Sequence, residues 1–598
     1  MTTAYIAPIK DMRFTLHELA GLDDVARLPG HEDATADLVD SVLDGAARFA
    51  GEVWGPLNAS GDAEGLTWHD GEVSTPKGFV DAYGQFVEAG WNGLRFPADF
   101  GGQGLPKLVD TAVMEMWNAA NMAFSMAPLL TQGAIEALLL CGSDTLKQTY
   151  LHKMVAGVWT GTMNLTEPQA GSDLGLLRSK ALPEGDHYRI HGQKIFISFG
   201  EHDLAENIVH LVLARTPDAP EGVKGISLFV VPKFLVGADG TLGARNDVRC
   251  VSIEHKLGIH ASPTAVLAFG DGAGAIGYLV GEENRGLEYM FTMMNEARFG
   301  VGVQGLAVAD RAYQQALAWA KDRVQGKEAT APRAPSVPII RHPDVRRMLM
   351  SMRSRVEAMR AFAYVVAAKI DQAHRHADAG VRAQAQIEVD LLIPILKGWC
   401  TETGIEVAST GVQVHGGMGF IEETGASQHL RDARITAIYE GTTGIQANDL
   451  VGRKLLRDGG RAMRALAAQI DDVGAALAGA PGPDLPAIGA RLREGVRAMS
   501  DAIDWIVATA ATDLNAVLAG AVPFLHLCGV VCGGWQMARA AQAAQRRLDE
   551  GDADRAFHQT KIATARFFAD QDLTRARGLA DATIHAGAST MALGEADF

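Results

Sequence analysis

A basic excess is missing from this sequence. Its 598 residues hold 54 lysines and arginines against 71 aspartates and glutamates, a formal net charge of −17. A general nucleic-acid binder carries the opposite balance, so that class is excluded. Anionic small molecules are not excluded, because a local site can be positive inside an acidic protein. Cysteine is scarce as well. The five, Cys141, Cys250, Cys400, Cys528 and Cys532, are scattered, and only the last two are close, as C-x3-C without a second pair to complete a metal site. No metal-ligand set is expected, and this usage suits a reducing compartment, so a cytoplasmic location is expected. The N-terminus, MTTAYIAPIKDMRF, lacks the continuous apolar core and small-residue cleavage site of a signal peptide. One stretch, Ala516 to Trp535, is uncharged apart from His526, but Pro523 and four glycines interrupt it. A helix buried among neighbours is expected there rather than a membrane span.

What is present divides by periodicity. Residues 1–157 read as mostly helical, with apolar residues at three- and four-residue spacing over Asp37–Phe49 and Leu108–Ala127. From about 158 to 285 come short runs rich in β-branched and aromatic residues, IFIS (195–198), NIVHLVLA (207–214) and GISLFVVP (225–232), separated by Gly, Pro and Asp. The amphipathic helical pattern returns over 286–458, in the stretches Tyr289–Val324, Val345–Asp371 and Val381–Val407. A proline-rich loop (328–344) interrupts it, with Asp344 or a neighbour expected to cap the next helix. After a linker, GAPGPDLP (479–486), an alanine-rich helical module completes the last block, 459–598. A chain of this length exceeds one core, and a mostly α, α+β protein of four domains is expected.

Five segments carry candidate chemistry. In ITAIYEGTTGIQ (435–446) the one carboxylate, Glu440, follows an aromatic-apolar stretch and precedes a Gly-Thr-Thr-Gly turn. Apolar surroundings disfavour its charge and make it a stronger base, and glycine beside it lets a ligand approach backbone donors. Glu440 reads equally as a surface residue or a helix N-cap. MNLTEPQAGSDLG (163–175) combines Thr166 and Ser172 with glycines, which suits a polar cofactor edge or a plain loop. GQKIFISFGEHD (192–203) sets Phe196 and Ser198 two residues apart, on one face of a strand, for a ring system or for packing. In TGVQVHGGMGFIEETG (410–425), Gln413 precedes Gly416 and Gly417, which permit close backbone approach. The literal G-x-G-x-x-G at Gly300, Gly302 and Gly305 follows a helical pattern rather than a strand, so it is read as close helix packing and not as a dinucleotide fold.

Taken together over about residues 80–455, the strings TEP-x-AGSD, GQK-x-x-I-S, R-x-G-x-x-x-Q-G, Q-x-x-GG-x-GF and IYEGT resemble the acyl-CoA dehydrogenase family in order and spacing. FISFGEHD and IYEGTTGIQ, with the C-terminal module, look most like the family's long branch, in which 3-methylmercaptopropionyl-CoA dehydrogenase falls. The resemblance implies a helical domain, a small β-barrel-like domain, a four-helix-bundle domain and an extra helical domain. It implies FAD as cofactor, an acyl-CoA substrate, an electron-transferring flavoprotein as acceptor and a homo-oligomer, favouring a dimer. It implies Glu440 as the base in α,β-dehydrogenation of the thioester to a trans-2-enoyl-CoA. Gly441, Arg298 and Ser172 match substrate positions. Met163, Thr166, Ser172, Phe196, Ser198 and Thr442 match FAD positions, and Arg323, Gln413, Gly416 and Gly417 match residues serving a neighbouring subunit's FAD.

Departures from the family pattern are informative. The family often has tryptophan at Phe196. Some members carry the base one residue before the arginine matching Arg298; here that place is Ala297, and Glu296 is one residue out of register. Nitroalkane oxidases of the superfamily use aspartate at the Glu440 position. The stretch after Arg323 lacks the usual R-x-x-FG string. A broad-specificity fatty acyl-CoA dehydrogenase and an acyl-CoA oxidase are the enzyme alternatives. The DNA-binding branch of the superfamily has a basic C-terminal region, whereas residues 461–598 hold 13 Lys and Arg against 16 Asp and Glu.

Overall fold

A computed structural model describes residues 4–598. The chain forms two compact units: a sheet unit of Phe49–Leu105 and Ala120–Gly300, and a bundle unit of Met1–Arg48, Pro106–Ala119 and Val301–Phe598.

The helix expected over 108–127 extends as α1 (Lys107–Cys141), interrupted at Asn121, whose backbone leaves the helical region. Asn121 Oδ1 accepts the Phe124 N–H at 3.1 Å and so starts the second segment as a cap would. Nearby, Trp54, Phe86, Phe79 and Phe124 pack ring on ring, with centroids 4.6 to 5.1 Å apart.

Eight strands form the main sheet of this unit: β1 (Trp159–Asn164), β2 (Lys180–Glu184), β3 (His187–Ser198), β4 (Asn207–Ala214), β5 (Ser227–Pro232), β6 (Val248–Ile253), β7 (Thr264–Phe269) and β8 (Ala275–Leu279). Their order is β6-β7-β3-β8-β5-β4-β1, with β2 on β3. All pairs are antiparallel except β1 with β4. The apolar runs of β4 and β5 bury both faces. Val209, Leu211, Leu213, Leu228 and Val230 enter one core, and Val212, Ala214, Phe229 and Val231 the other. That is the period of two of a strand covered on both sides, and each valine, leucine or phenylalanine among them stabilises the fold by about 1.5–3 kcal/mol.

The later helices are α2 (Gly286–Asp322), α3 (Pro343–Arg375), α4 (Ala379–His415), α5 (Thr443–Asn448), α6 (Arg461–Ala478), α7 (Asp484–Thr509), α8 (Ala521–Asp549) and α9 (Arg555–Gln571). Proline at the first position starts α3, with His342 as N-cap; Asp344 lies in the first turn and is not the cap. The segment 516–535 is two helices, Leu514–Ala519 and α8, divided at Gly520. Among the described residues α1 and α8 are long and apolar enough to cross a membrane, and both are mostly buried inside the protein.

A buried ionic cluster ties the bundle unit together. Arg360 donates to Glu115 (2.6 and 2.9 Å) and to Asp11 (2.7 Å), while Lys561 donates to Asp11 (2.6 Å) and Glu357 (2.8 Å). Burial alone would raise the Asp11 carboxyl, yet Lys561 and Arg360 hold it at about 2. Residues from the N-terminal segment and from α9 thus share one network. Elsewhere Trp399 of α4 lies against Gly529 and Gly533 of α8, where a methyl at Gly533 would sit 2.6 Å from the indole.

Candidate active site

In the sheet unit, strand β1 runs into the loop 165–176, which is tied down by its own acid. Glu167 Oε1 accepts from the Ser179 N–H (3.0 Å), the Ser179 hydroxyl (2.6 Å) and Lys194 Nζ (2.9 Å). Its Oε2 accepts from the Arg178 N–H (2.8 Å) and Gln169 (2.6 Å). Lys194 also donates to the Leu165 carbonyl at 3.1 Å, and the Ile195 N–H donates to the Thr166 carbonyl at 2.9 Å. Burial would raise the Glu167 carboxyl, but Lys194 and these donors hold it at about 2; burial pushes Lys194 down to about 8. Loop and strand β3 are therefore locked side by side, bringing Thr166 beside the segment that carries Phe196.

At Phe196 strand β3 bulges. Thr264 faces Ser198 and Ala265 faces Ile197, but Leu267 faces Lys194, so Ile195 and Phe196 share one partner, Val266. Phe196 takes φ 60°, a conformation unusual for a bulky residue, and its side chain stays 58% exposed while Ile197 beside it is buried. Ser198 and Thr166 are half-buried, Ser172 and Gly171 are exposed, and Met163 is buried at the end of β1. Beneath β1 two buried histidines bond to threonine hydroxyls: His202 to Thr160 at 2.9 Å and His210 to Thr162 at 2.7 Å. The Leu204 N–H donates to His202 Nδ1 (3.1 Å), which places that ring's proton on Nε2, toward Thr160.

Arg298 also belongs to this unit, buried on α2. Ala297 beside it is buried in the apolar core. Glu296 pairs with Arg95 at 3.2 Å, so the out-of-register acid is engaged by a cation.

In the bundle unit, Glu440 takes φ 55° and Gly441 φ 85°, a left-handed pair. Helix α5 follows, but its N-cap is Thr442, whose hydroxyl accepts the Ile445 N–H at 3.3 Å; Glu440 is therefore not the cap. The turn is fixed from several sides. The Tyr439 hydroxyl donates to Gln304, and the Thr443 hydroxyl donates to Glu402 at 2.6 Å. Lys397 Nζ donates to the Gly441 carbonyl at 2.8 Å, and Gln446 Nε2 donates to the Glu440 carbonyl at 3.1 Å and the Gly441 carbonyl at 3.2 Å. Glu440 itself is half-buried.

At the end of α4, exposed Gln413 accepts the Gly416 N–H on its carbonyl, and Gly416 turns to φ 63°, ψ −143°, where glycine is favoured. Side-chain atoms added at Gly171, Gly416 or Gly417 would meet nothing within 4 Å, so these backbones are open to a ligand. His415 stacks on Trp319 (5.2 Å), whose buried Nε1 has no hydrogen-bond partner among the described residues. Arg323, one turn beyond Trp319, is exposed and donates to Gln325 at 3.3 Å. Taken unit by unit, the sheet unit offers an exposed aromatic at a bulge with hydroxyls near it, which suits a flavin ring, and the bundle unit offers open glycine backbone and an exposed guanidinium, which suit a pyrophosphate. Among the described residues no group of three or more His, Cys, Asp or Glu is placed to hold a metal ion.

Motif reading singled out neither the Glu167–Lys194 pair nor Lys397 and Gln446. Lys397 does leave a signal, as the one charge in the apolar run LLIPILKGWC.

Three family models match the chain in order: the acyl-CoA dehydrogenase N-terminal domain (42–158), middle domain (162–271) and C-terminal domain (284–455). The chain belongs to the acyl-CoA dehydrogenase family. It is thus an oxidoreductase. A fourth model, acetyl-CoA dehydrogenase C-terminal like, matches residues 463–594. The chain is 52% identical over 570 residues to 3-methylmercaptopropionyl-CoA dehydrogenase of Ruegeria pomeroyi, covering 95% of this chain and 96% of that protein. It is 36% identical over 579 residues to a butyryl-CoA dehydrogenase of Syntrophomonas wolfei, covering 94% of each. An acyl-CoA dehydrogenase from Bacillus anthracis solved in complex with FAD shares the fold, with a TM-score of 0.73 at 21% identity over 94% of this chain and 90% of that one.

Proposed function

We propose that this family member dehydrogenates 3-methylmercaptopropionyl-CoA at its α,β bond, with Glu440 as the base. The observation that carries the reading is a half-buried carboxylate on the left-handed Glu440–Gly441 turn, within the IYEGT string of a chain 52% identical to a relative of that name. The backbone N–H of Glu440 holds the thioester carbonyl and acidifies the α-carbon, and the Glu440 carboxylate takes the α-proton. Gly441 lines the thioester, and Arg298 and Ser172 serve the CoA arm. FAD, when bound, supplies the acceptor for the β-hydride. Phe196 stacks on its ring. Thr166, Ser198, Thr442 and the backbone at Met163 hold polar edges of the cofactor. Arg323, Gln413, Gly416 and Gly417 hold the FAD pyrophosphate and adenosine of a partner subunit, which makes the protein a homodimer.

An electron-transferring flavoprotein is the proposed acceptor and the cytoplasm the proposed location; all five cysteines are free, as a reducing compartment requires. We take 1–157, 158–285, 286–458 and 459–598 as the domains, a division supported by the ends of the four family matches.

The second reading, a broad-specificity dehydrogenase of straight chains, is favoured by the butyryl-CoA relative. A panel of butyryl-, hexanoyl- and 3-methylmercaptopropionyl-CoA with an artificial electron acceptor separates the two. The highest kcat/KM is expected for the thioether. Equal kcat/KM across the panel selects the second reading, turnover needing oxygen alone makes the chain an oxidase, and no turnover of any thioester contradicts both readings.

A further inference from the structure

Lys397 is fully buried in α4, and its ammonium donates to a backbone carbonyl one residue beyond the proposed base. Taking an ammonium out of water is costly, and an apolar residue of the same length is often neutral or stabilising in such a place. A lysine kept there calls for a task beyond filling space.

The task is visible in the turn. A left-handed backbone strains a residue that bears a side chain, and Glu440 adopts it at φ 55°. Two consecutive carbonyls, those of Glu440 and Gly441, are held there by two buried side chains, Gln446 from α5 and Lys397 from α4. Gln446 reaches both carbonyls, and a methyl at Gly441 would lie 2.8 Å from its Nε2, so the clamp also explains why glycine follows the acid. A hydrogen bond from a charged donor is roughly twice as strong as a neutral one. Lys397 therefore supplies the stronger of the two holds. One turn further along α4, Thr401 is bonded to the Lys397 and Gly398 carbonyls, and Glu402 accepts from Thr443. Helix α4 thus braces the segment 441–443 at two places.

We propose that Lys397, assisted by Gln446, is a positioning residue for the reaction: it holds the strained Glu440–Gly441 turn so that the Glu440 carboxylate is aimed at the substrate α-carbon. This rests on the reading of Glu440 as the base. Displacement of a reacting group by about 1 Å can cost on the order of 100-fold in rate, which sets the size of the effect.

The test is a cycle on the FAD-loaded protein. Lys397→Met, Glu440→Gln and the double variant are mixed with butyryl-CoA without oxygen, and the first-order bleaching of the flavin at saturating substrate is compared with FAD content and substrate dissociation constant. Lys397→Met is expected to slow bleaching about 10- to 100-fold, with FAD content and substrate affinity near wild type. In the Glu440→Gln background the same change is expected to cost less than about twofold, because the carboxylate it aims is gone. Equal slowing in both backgrounds, or no slowing by Lys397→Met, overturns the proposal. Should Lys397→Met not fold, Gln446→Leu, which removes the neutral half of the clamp, is subject to the same two criteria. Wild-type bleaching by Glu440→Gln alone instead refutes the base itself, and is recognisable without any Lys397 variant.

Discussion

Lys194 Nζ lies 2.9 Å from Glu167 Oε1, with the lysine fully buried and the acid 4% exposed, directly behind the loop that carries Thr166 and Ser172. A pair this deep is costly to break, because the survivor is left charged and dry. Glu167→Gln should destabilise the protein by about 3–5 kcal/mol and Glu167→Gln with Lys194→Met by clearly less. Urea unfolding of the two variants checks the order; equal losses would mean that the pair is not coupled.

Acid should weaken the sheet unit from a higher pH than its carboxylates alone would suggest. Burial, with Lys233 nearby, keeps His202 and His210 neutral down to about 3, against 6.5 for a free imidazole. Between those values the unfolded chain binds protons that the folded one refuses. Their contribution to stability is therefore full above about 6.5 and lost as pH falls toward 3. Glu167 adds a second loss, present above its ordinary 4.5 and disappearing as pH falls toward about 2. Melting temperature measured from pH 7.5 to 4.5 should fall, and His202→Gln should flatten that fall. A flat profile in the parent protein contradicts the assignment.

The alternation of helical and strand periods was enough to order the blocks. In β4 and β5 the successive side chains Leu211 to Ala214 and Leu228 to Val231 enter the two cores alternately, as the period of two requires. What escaped is set by single residues or by distance in the chain. Asn121 breaks α1 within an apolar run, because its side chain caps the next turn better than the helix accommodates it. The exposure of Phe196 comes with a bulge, and that bulge depends on pairing with β7, some seventy residues away. Glu440 was legible as a candidate; its separation from the helix cap was not, since Thr442 competes for that role two residues later. Lys397 stands 44 residues from the carbonyl it holds, and only the fold brings the two together.

Purified protein should be yellow, with about one FAD per chain. Because Phe196 is exposed, Phe196→Ala should leave thermal stability nearly unchanged while lowering FAD retention and altering the flavin fluorescence. A large loss of stability with full FAD would make Phe196 a packing residue instead.

Assembly should follow the cofactor. Arg323→Ala and Gln413→Ala, both at exposed positions, are expected to lower FAD content without unfolding the chain, and sedimentation should give a dimer. A monomer that keeps all of its FAD contradicts the role proposed for these residues.

The most direct measurement is the anaerobic bleaching of the flavin by acyl-CoA in Glu440→Gln. The change keeps size and shape and removes the base, so FAD and substrate should still bind while the bleaching rate falls about 10²- to 10⁴-fold. Ala297 is buried among apolar neighbours and Glu296 is paired with Arg95, so neither place offers a substitute carboxylate. Bleaching at nearly the wild-type rate would show that Glu440 is not the base.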